Sequence, residues 1–378
     1  SIALQYWLFE HIDHPARINP PAEVIALIQS EVEAPLSIAL VLPLSGRLQT
    51  AGEAVLDGFL SALYQTGAEN YATPEVEIFD SSQLPVELIA DLISDGEFDV
   101  AIGPLDSRNV SSFINSVSKE QAVLSLNRMS DSDDRSSVHL GYSLAVESEA
   151  TQSAQSASER EYRRAMLLIE DTDIGERAAG AFAEYWVSDD RTIQDLVRLS
   201  EATTLTERLE QSFHVNQSET RKSQLQTLLG KSLEFTPRRR QDIDTIFLAS
   251  NPVLARQVAP TLAFLFAQDV PVLAISRIYE SSDDPEDNRD LQPVEFLSPP
   301  WLIENRQSLE RAESSRPLEL QKLEAMGVDA FYLSRRFQQL NDPSFVYKGK
   351  TGNIYVGSTG NLERTMAVSY THLRAHET

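Results

Sequence analysis

The sequence predicts an α/β protein made of two Rossmann-like lobes, each organised around a central parallel sheet. Three observations predict this class. Short aliphatic runs recur along the chain and have the composition of strands buried on both faces. Segments with helical spacing separate these runs, which is the order of β-α-β units. The alternation occurs in two blocks, one ending near Tyr142 and the other running from about Ala165 to Ser276.

The opening β-α unit is the clearest local signal. Residues 38–42 form a continuous aliphatic run, and Pro43 ends it. After the Ser45-Gly46 turn, apolar residues recur every three or four positions from Ala51 to Leu63, which predicts an amphipathic helix packed on the sheet. The loop after such a strand lines the ligand crevice in open parallel sheets, so the unit indicates a binding fold.

The later elements follow the same alternation. Further strands are predicted at residues 76–80, 99–103, 122–126, 165–170, 245–249 and 272–276. Helices are predicted at residues 85–94, 107–119, 147–159, 175–187 and 252–267. Right-handed crossovers through these helices make the strands parallel. Residues 345–347 and 353–356 are predicted to form a hairpin.

The pattern divides the chain into three parts. Residues 1–33 have the character of a short helical remnant with its linker, and a start at Ser1 without Met or a signal peptide indicates a piece of a longer protein. Residues 34–368 form the two lobes: lobe 1 takes about 34–143 and lobe 2 about 144–276, each completed by part of the C-terminal region. Residues 369–378 resemble a translated adapter sequence, so we predict a non-native tail outside the fold.

Composition describes an acidic globular protein. Among 378 residues, 42% are hydrophobic, which is enough for two cores. Asp and Glu number 57 against 32 Lys and Arg, a formal net charge of −25. Such a surface repels a phosphate backbone, so no nucleic-acid partner is expected. Cysteine is absent, and no segment reaches the ~18 to 20 apolar residues of a membrane-spanning helix.

No catalytic constellation stands out. The histidines before the tail, His11, His14, His139 and His214, are scattered without metal-ligand spacing. Ser45 lies in Leu-Ser-Gly rather than in the Gly-x-Ser-x-Gly of a hydrolase. We therefore expect neither an enzyme nor a metal or other cofactor.

Two motif-like segments are interpreted as structural. Gly349-Lys350-Thr351 ends like a phosphate loop, but Ser344 stands where the motif needs Gly, so we predict a turn of the hairpin. Asp242 and Asp244 precede a buried strand and could bind a metal. We favour ion pairs with nearby arginines instead. These arginines are Arg238, Arg239 and Arg240.

Small and polar residues follow the predicted strands and are the candidates for ligand contacts. They are Ser45, Gly46, Gly103, Pro104, Asn127, Arg128, Asp171 and Ser276. Such residues donate hydrogen bonds into a crevice at the carboxyl edge of a sheet. The equally weighted alternative is that they only satisfy turn geometry at the strand ends.

Ordered motifs across about residues 34–367 carry a family resemblance. They are IALVLPLSGRLQTAGEAVLDGF, IGPL, LSLN, YSLAVESEA, PRRRQDIDTIFLAS, ARQVAPTLAF, PVLAIS, PPWL and MGVDAFYL followed by GKTGNIYV. Together they resemble the C-terminal domain of penicillin-binding protein activators of the LpoA family. The resemblance implies the fold of type I periplasmic binding proteins, and it identifies residues 1–33 with the end of the family's helical repeat domain.

The resemblance also implies a function. Members of this family are non-enzymatic outer-membrane lipoproteins on the periplasmic side that bind a class A penicillin-binding protein and stimulate peptidoglycan synthesis. The lipid anchor would then lie upstream of Ser1. The alternative from another class is a periplasmic receptor for an amino acid, a peptide or a cell-wall fragment, in which Ser45 could bind a carboxylate.

Overall fold

Two compact units are formed in the computed structural model, which describes residues 35–68, 73–134, 136–200, 205–232, 238–279, 289–291, 293–302, 316–357 and 359–370. Unit 1 comprises the described residues of Ser1–Leu144 and Arg316–Arg364. Unit 2 comprises those of Ala145–Ser315 and Thr365–Thr378. The predicted helical remnant at 1–33 lies outside the described residues.

The core of unit 1 is a five-stranded parallel sheet in the order β2-β1-β3-β4-β5. Its strands are β1 (Ser37–Leu42), β2 (Glu75–Asp80), β3 (Val100–Ile102), β4 (Ala122–Ser125) and β5 (His139–Gly141). β1 lies between β2 and β3 and is buried, and its side chains alternate between the two faces: Ile38 and Leu40 join one hydrophobic cluster, while Ala39 and Val41 join another. Helices must therefore cover both faces.

Four helices cover the unit 1 sheet. They are α1 (Gln49–Ala68), α2 (Val86–Asp95), α3 (Ser107–Ser116) and α9 (Leu318–Ser334). On one face, α1 and α9 bury Phe59 and Phe331, whose rings meet edge to face at 5.3 Å. On the other face, α2 and α3 bury Ile89 and Phe113.

Two glycines set the distance between α1 and α9. A Cβ on Gly58 would lie 1.9 Å from the carbonyl oxygen of Glu324, and a Cβ on Gly327 would lie 2.0 Å from that of Val55. Both contacts are with backbone atoms, which cannot rotate away. The two helices consequently pack backbone against backbone, and no larger residue fits at either position.

Unit 2 contains a six-stranded sheet in the order β14-β10-β9-β8-β6-β7. Its strands are β6 (Arg164–Glu170), β7 (Thr192–Leu199), β8 (Thr245–Ala249), β9 (Val272–Ala274), β10 (Val294–Ser298) and β14 (Ala367–Tyr370). All neighbours are parallel except β14, which runs antiparallel to β10.

Helices also lie on both faces of the unit 2 sheet. Those on the sheet are α4 (Val146–Glu159), α5 (Asp173–Trp186), α6 (Leu205–Ser212) and α8 (Pro252–Phe264), and α7 (Val215–Leu229) packs beside α6. α4 and α5 pack on one face around Phe182 and Phe247, whose rings stack at 4.5 Å. α6 and α8 pack on the other around Leu209 and Val258. No helix among the described residues has both the length and the apolar character needed to cross a membrane.

A small antiparallel element completes unit 1 in the order β11-β12-β13. Its strands are β11 (Tyr347–Lys348), β12 (Asn353–Val356) and β13 (Leu362–Thr365). Asn361 anchors it to the loop after β4, because the Asn361 side chain accepts from Met129 N–H at 2.8 Å and donates to the Met129 carbonyl at 3.2 Å.

The predicted fold class is confirmed: the protein is α/β, with parallel sheets between helical layers. The boundaries of some elements differ for identifiable reasons. α8 ends at Phe264 rather than at 267 because Phe266 adopts a left-handed conformation with φ +58°. The strand predicted at 272–276 ends at Ala274 because Ser276 begins a 3₁₀ turn. β14 contains Ser369 and Tyr370, so pairing continues two residues into the predicted tail, whose remaining residues lie outside the described ranges.

Candidate functional site

The carboxyl edge of the unit 1 sheet carries six of the eight candidate ligand residues. Asp80, at the end of β2, organises the first loop. Its Oδ1 accepts from the backbone N–H of Leu44 at 3.0 Å and of Ser82 at 2.9 Å. Its Oδ2 accepts from Ser45 Oγ at 2.9 Å, and Gln83 Nε2 donates to the same hydroxyl at 3.0 Å. Burial acts to raise the pKa of Asp80, but the hydrogen bonds outweigh it and lower that pKa.

These bonds determine what Ser45 can do. Its hydroxyl is held between a carboxylate and an amide, and a carboxylate with a lowered pKa is a weak proton acceptor. The arrangement fixes a turn and gives no activated nucleophile. The next residue, Gly46, has φ +70° at the exposed tip of this turn, a conformation that favours glycine.

The loops after β3 and β4 hold the other four candidates of unit 1. Gly103 has φ +110°, and a Cβ there would lie 2.1 Å from the carbonyl oxygen of Val41; the Gly103-Pro104 peptide is cis. Asn127 Nδ2 donates to the Leu105 carbonyl at 3.1 Å, and Asn127 Oδ1 accepts from Arg128 N–H at 2.9 Å. The amide of Asn127 therefore serves the turn, while the Arg128 side chain is exposed.

A depression of ≈ 430 Å³ opens beside the first loop. It is lined by Pro43, Ser45, Gly46, Arg47, Leu48, Ser81, Ser82, Asp106, Arg108 and Asn109. Asp106 caps the N-terminus of α3 and forms a two-point ion pair with Arg108, whose Nη2 lies 2.6 Å from Oδ2. That pairing lowers the pKa of Asp106. The depression thus combines an ion pair and a second arginine, Arg47, with hydroxyl groups, and its lining includes Ser45 and Gly46 but not the four candidates on the later loops.

Unit 2 holds the remaining two candidates in different environments. Asp171 follows β6 and its side chain is exposed. Ser276 follows β9 and is buried, and it donates from its N–H (2.7 Å) and its Oγ (3.0 Å) to the carboxylate of Glu149 on α4. Glu149 lies 127 positions away in sequence, so this contact was missed. It fixes the turn after β9.

The arginine-rich segment is a network of ion pairs. Arg239 is buried and its guanidinium bonds Asp269 at 2.7 Å and the Phe266 carbonyl at 3.1 Å. Arg240 forms a two-point pair with Asp242, both bonds at 2.6 Å, and lowers the pKa of Asp242 to about 2. In the part of the chain that the structure describes, no cluster of acidic residues and histidines is arranged to hold a metal ion.

Two details of this segment correct the prediction. Arg238 contributes only its backbone N–H, to Ser218 Oγ at 3.2 Å, and no ion pair of its side chain occurs among the described residues. Asp244 pairs with Arg164, with Nη2 2.7 Å from Oδ1, rather than with residues 238–240. The reason is position: Asp244 precedes β8, next to the start of β6, and it also accepts the backbone N–H groups of Arg163 and Arg164.

We expect Asp244→Ala to lower the free energy of unfolding at neutral pH by about 1 to 3 kcal/mol, because partly buried N–H donors lose a charged acceptor. Hydrogen bonds from Arg164 lower the pKa of Asp244, so its contribution is present above the unfolded pKa and is lost as the pH falls through the folded one. Denaturant unfolding at pH 7 and below pH ~4 should show the difference between variant and parent shrinking in acid. Asp189→Ala, at an exposed carboxylate, is the control; an equal loss for both would contradict the assignment.

The segment that looks like a phosphate loop encloses a carboxylate of the protein itself. Asp329 on α9 is fully buried and accepts from the N–H of Lys350 (2.6 Å), the N–H of Thr351 (2.8 Å) and Thr351 Oγ1 (2.8 Å). Tyr142 Oη donates a fourth bond at 3.2 Å. Burial raises the pKa of Asp329, and the hydrogen bonds act against that rise. The loop's amides are therefore occupied, and the predicted turn between β11 and β12 is confirmed.

The chain is similar in sequence to a family of lipoproteins and to proteins named penicillin-binding protein activator. A family model described as LppC putative lipoprotein matches residues 1–372. The penicillin-binding protein activator LpoA of Photobacterium profundum is 28% identical over 373 residues, which cover 96% of this chain and 60% of that protein. A Vibrio cholerae LpoA is 25% identical, covering 96% and 61%. The chain thus spans about three fifths of the length of these relatives.

Solved structures show the same fold. Full-length LpoA from Haemophilus influenzae superposes with a TM-score of 0.71 at 21% identity, covering 98% of this chain and 64% of that one. The LpoA (YraM) C-domain of that organism, described as a regulator of PBP1A, gives 0.71 at 21% identity over 89% and 97%. A putative branched-chain amino acid ABC transporter protein from Chromobacterium violaceum gives 0.63 at 20% identity over 89% and 99%. The fold is therefore of the type I periplasmic binding protein kind.

Proposed function

Because the chain belongs to the LppC family of putative lipoproteins, we propose that it is a non-enzymatic activator of a class A penicillin-binding protein and acts by binding that synthase directly. The observation that carries the proposal is the similarity to relatives named penicillin-binding protein activator across 96% of the chain. We further propose that it works at the periplasmic face of the outer membrane, held there by an upstream lipid anchor.

The geometry of the sheet edges supports an interaction protein over an enzyme. Three of the polar side chains that the sequence patterns indicated as candidates are engaged in fixing turns: Ser45 with Asp80, Asn127 with the Leu105 carbonyl, and Ser276 with Glu149. Side chains held in this way stabilise the loops, and partner recognition then depends on the exposed residues of those loops and of the surrounding surface.

We expect the purified chain to bind a class A synthase from its source organism and to raise the rate of glycan polymerisation in a purified assay. With a net charge of −25, it should prefer a basic patch on the synthase, and affinity should fall as salt rises from about 0.1 M to about 1 M, where the screening length shrinks from ~10 Å to ~3 Å. Absence of any complex at the lower salt concentration would refute the proposal.

A receptor for a small polar solute is the second candidate function. It is favoured by the ≈ 430 Å³ depression beside the first loop. Ser81 lines this depression, is buried, and has an Oγ without a hydrogen-bond partner among the described residues. A rise of the melting temperature with an added amino acid, peptide or wall fragment, without any effect on a synthase, would favour this function.

A further inference from the structure

The outer face of α2 carries leucines that are only partly covered by the described residues of unit 1. Leu88 and Leu92 are one helical turn apart and each is 45% exposed, and Leu84, just before the helix, is 38% exposed. The opposite face of α2 is complete without them, since Val86, Ile89, Ala90 and Ile93 are buried against the sheet. We call Leu84, Leu88 and Leu92 the leucine row.

The leucine row points away from the neighbouring helix. Ser94 Oγ on α2 accepts from the backbone N–H of Ser118, just after α3, at 3.1 Å, which fixes the side of α2 that faces α3. With about 100° per residue, Leu88 and Leu92 are rotated from that side toward solvent and toward the sheet edge. There β2 is the last strand, and among the described strands it pairs only with β1. The row is therefore accessible beside an open sheet edge.

The charged residues of α2 and of the neighbouring strand β2 are all acidic. Asp91 and Asp95 follow Leu88 on the exposed surface of α2, and Glu75 and Glu77 are exposed on β2. Between Arg47 and Arg108 the chain has twelve Asp and Glu residues and no Lys, Arg or His. An apolar stripe bordered by one sign of charge is complementary to a segment that presents apolar side chains between basic ones.

We propose that the leucine row with Asp91 and Asp95 is the docking surface for a basic, amphipathic segment of a partner protein. The inference rests on the proposed function, in which that partner is the synthase. The negative charge around the leucine row favours a basic segment over two other possible partners. A second copy of the chain would bring two acidic borders together, and an anionic lipid surface would be repelled.

The two halves of the surface predict different effects on binding. Leu88→Ser with Leu92→Ser removes the apolar row and keeps the charges, and we expect the dissociation constant for the synthase to rise tenfold or more at all salt concentrations, about 1.4 kcal/mol per factor of ten. Asp91→Asn with Asp95→Asn keeps the leucines, and we expect a few-fold loss near 0.1 M salt that disappears near 1 M.

Matched controls come from unit 2. Val253→Ser with Phe264→Ser replaces apolar side chains of α8 that are 60% and 67% exposed, and Glu184→Gln with Asp189→Asn removes two exposed charges. Both controls should bind like the parent. All variants replace exposed side chains, and melting curves verify that they are folded before binding is measured.

Each outcome decides a separate point. If the parent binds the synthase and the leucine variant binds within about twofold of it, the surface assignment is overturned and the proposed function stands. If the parent does not bind, the proposed function fails and the surface assignment falls with it. If the leucine variant does not fold, the carboxamide variant decides: an unchanged affinity near 0.1 M salt overturns the assignment.

Discussion

Asp329→Ala is expected to lower the free energy of unfolding of unit 1 by about 3 to 5 kcal/mol, the largest single effect foreseen for this chain. The change leaves the N–H groups of Lys350 and Thr351 without their acceptor next to a cavity, and it leaves the Thr351 and Tyr142 hydroxyls, 2.7 Å apart, with only each other to replace it. Each buried donor without an acceptor costs roughly 1 to 3 kcal/mol before the site relaxes. Calorimetric or denaturant unfolding measures the loss.

Two further variants test whether the lost hydrogen bonds of Asp329 cause this loss of stability. Asp329→Asn keeps one acceptor oxygen, but its NH₂ group replaces the other oxygen and faces N–H or O–H donors. We therefore expect a loss of stability close to that of the Ala variant. Asp342→Ala removes an exposed carboxylate that accepts only from Ser344, and should cost less than about 1 kcal/mol. Equal losses at positions 329 and 342 would show that the buried network does not hold the hairpin.

Gly327→Ala is expected to cost unit 1 about 2 to 4 kcal/mol through overpacking. The added methyl group would meet the backbone of Val55 at 2.0 Å, so α9 has to move away from α1 and loosen the contact between Phe59 and Phe331. The reciprocal change, Gly58→Ala, should have a similar cost, because its methyl group would meet the Glu324 backbone at 1.9 Å.

Gly180→Ala is the matched control for this effect. Gly180 lies inside α5, and no atom lies within 4 Å of the position its Cβ would take. In a helix interior the change from Gly to Ala without a clash stabilises by roughly 0.5 to 1 kcal/mol. A stabilising effect at position 180 beside a large loss at 327 would establish that the spacing between α1 and α9, rather than helix propensity, is responsible.

Strands such as β1, β6 and β8 could be predicted from the sequence because each is a mostly buried aliphatic run. β8 lies at the predicted residues 245–249, and every one of its side chains is buried. Three of the missed strands lack that signal. β5 has three residues, β7 is a half-buried strand with polar positions, and β14 depends on an antiparallel partner, β10, whose paired residues lie 69 to 75 positions earlier. Long-range pairing leaves no local pattern.

The sequence predicted where the candidate residues lie better than it predicted what their side chains do. The loops lie at the sheet edges as expected, but the carboxylates that organise them, Asp80, Glu149 and Asp329, each accept from at least one residue more than 20 positions away. One signal was available. Asp329 lies in MGVDAFYL among Met326, Ala330 and Leu333, so helical spacing places a carboxylate on the face that packs against the core. A buried Asp needs donors, and the Gly-Lys-Thr turn supplies them.

The position of α9 has a consequence for how the chain is made. Leu318, where α9 begins, lies 250 positions after Ala68, where α1 ends. At roughly 5 to 20 residues per second, a ribosome takes on the order of 12 to 50 seconds to cover that distance. Throughout this interval the face of α1 around Phe59 has no covering helix. Before α9 is made, this apolar face of α1 is open to aggregation, and unit 1 is completed only after most of unit 2 has been synthesised.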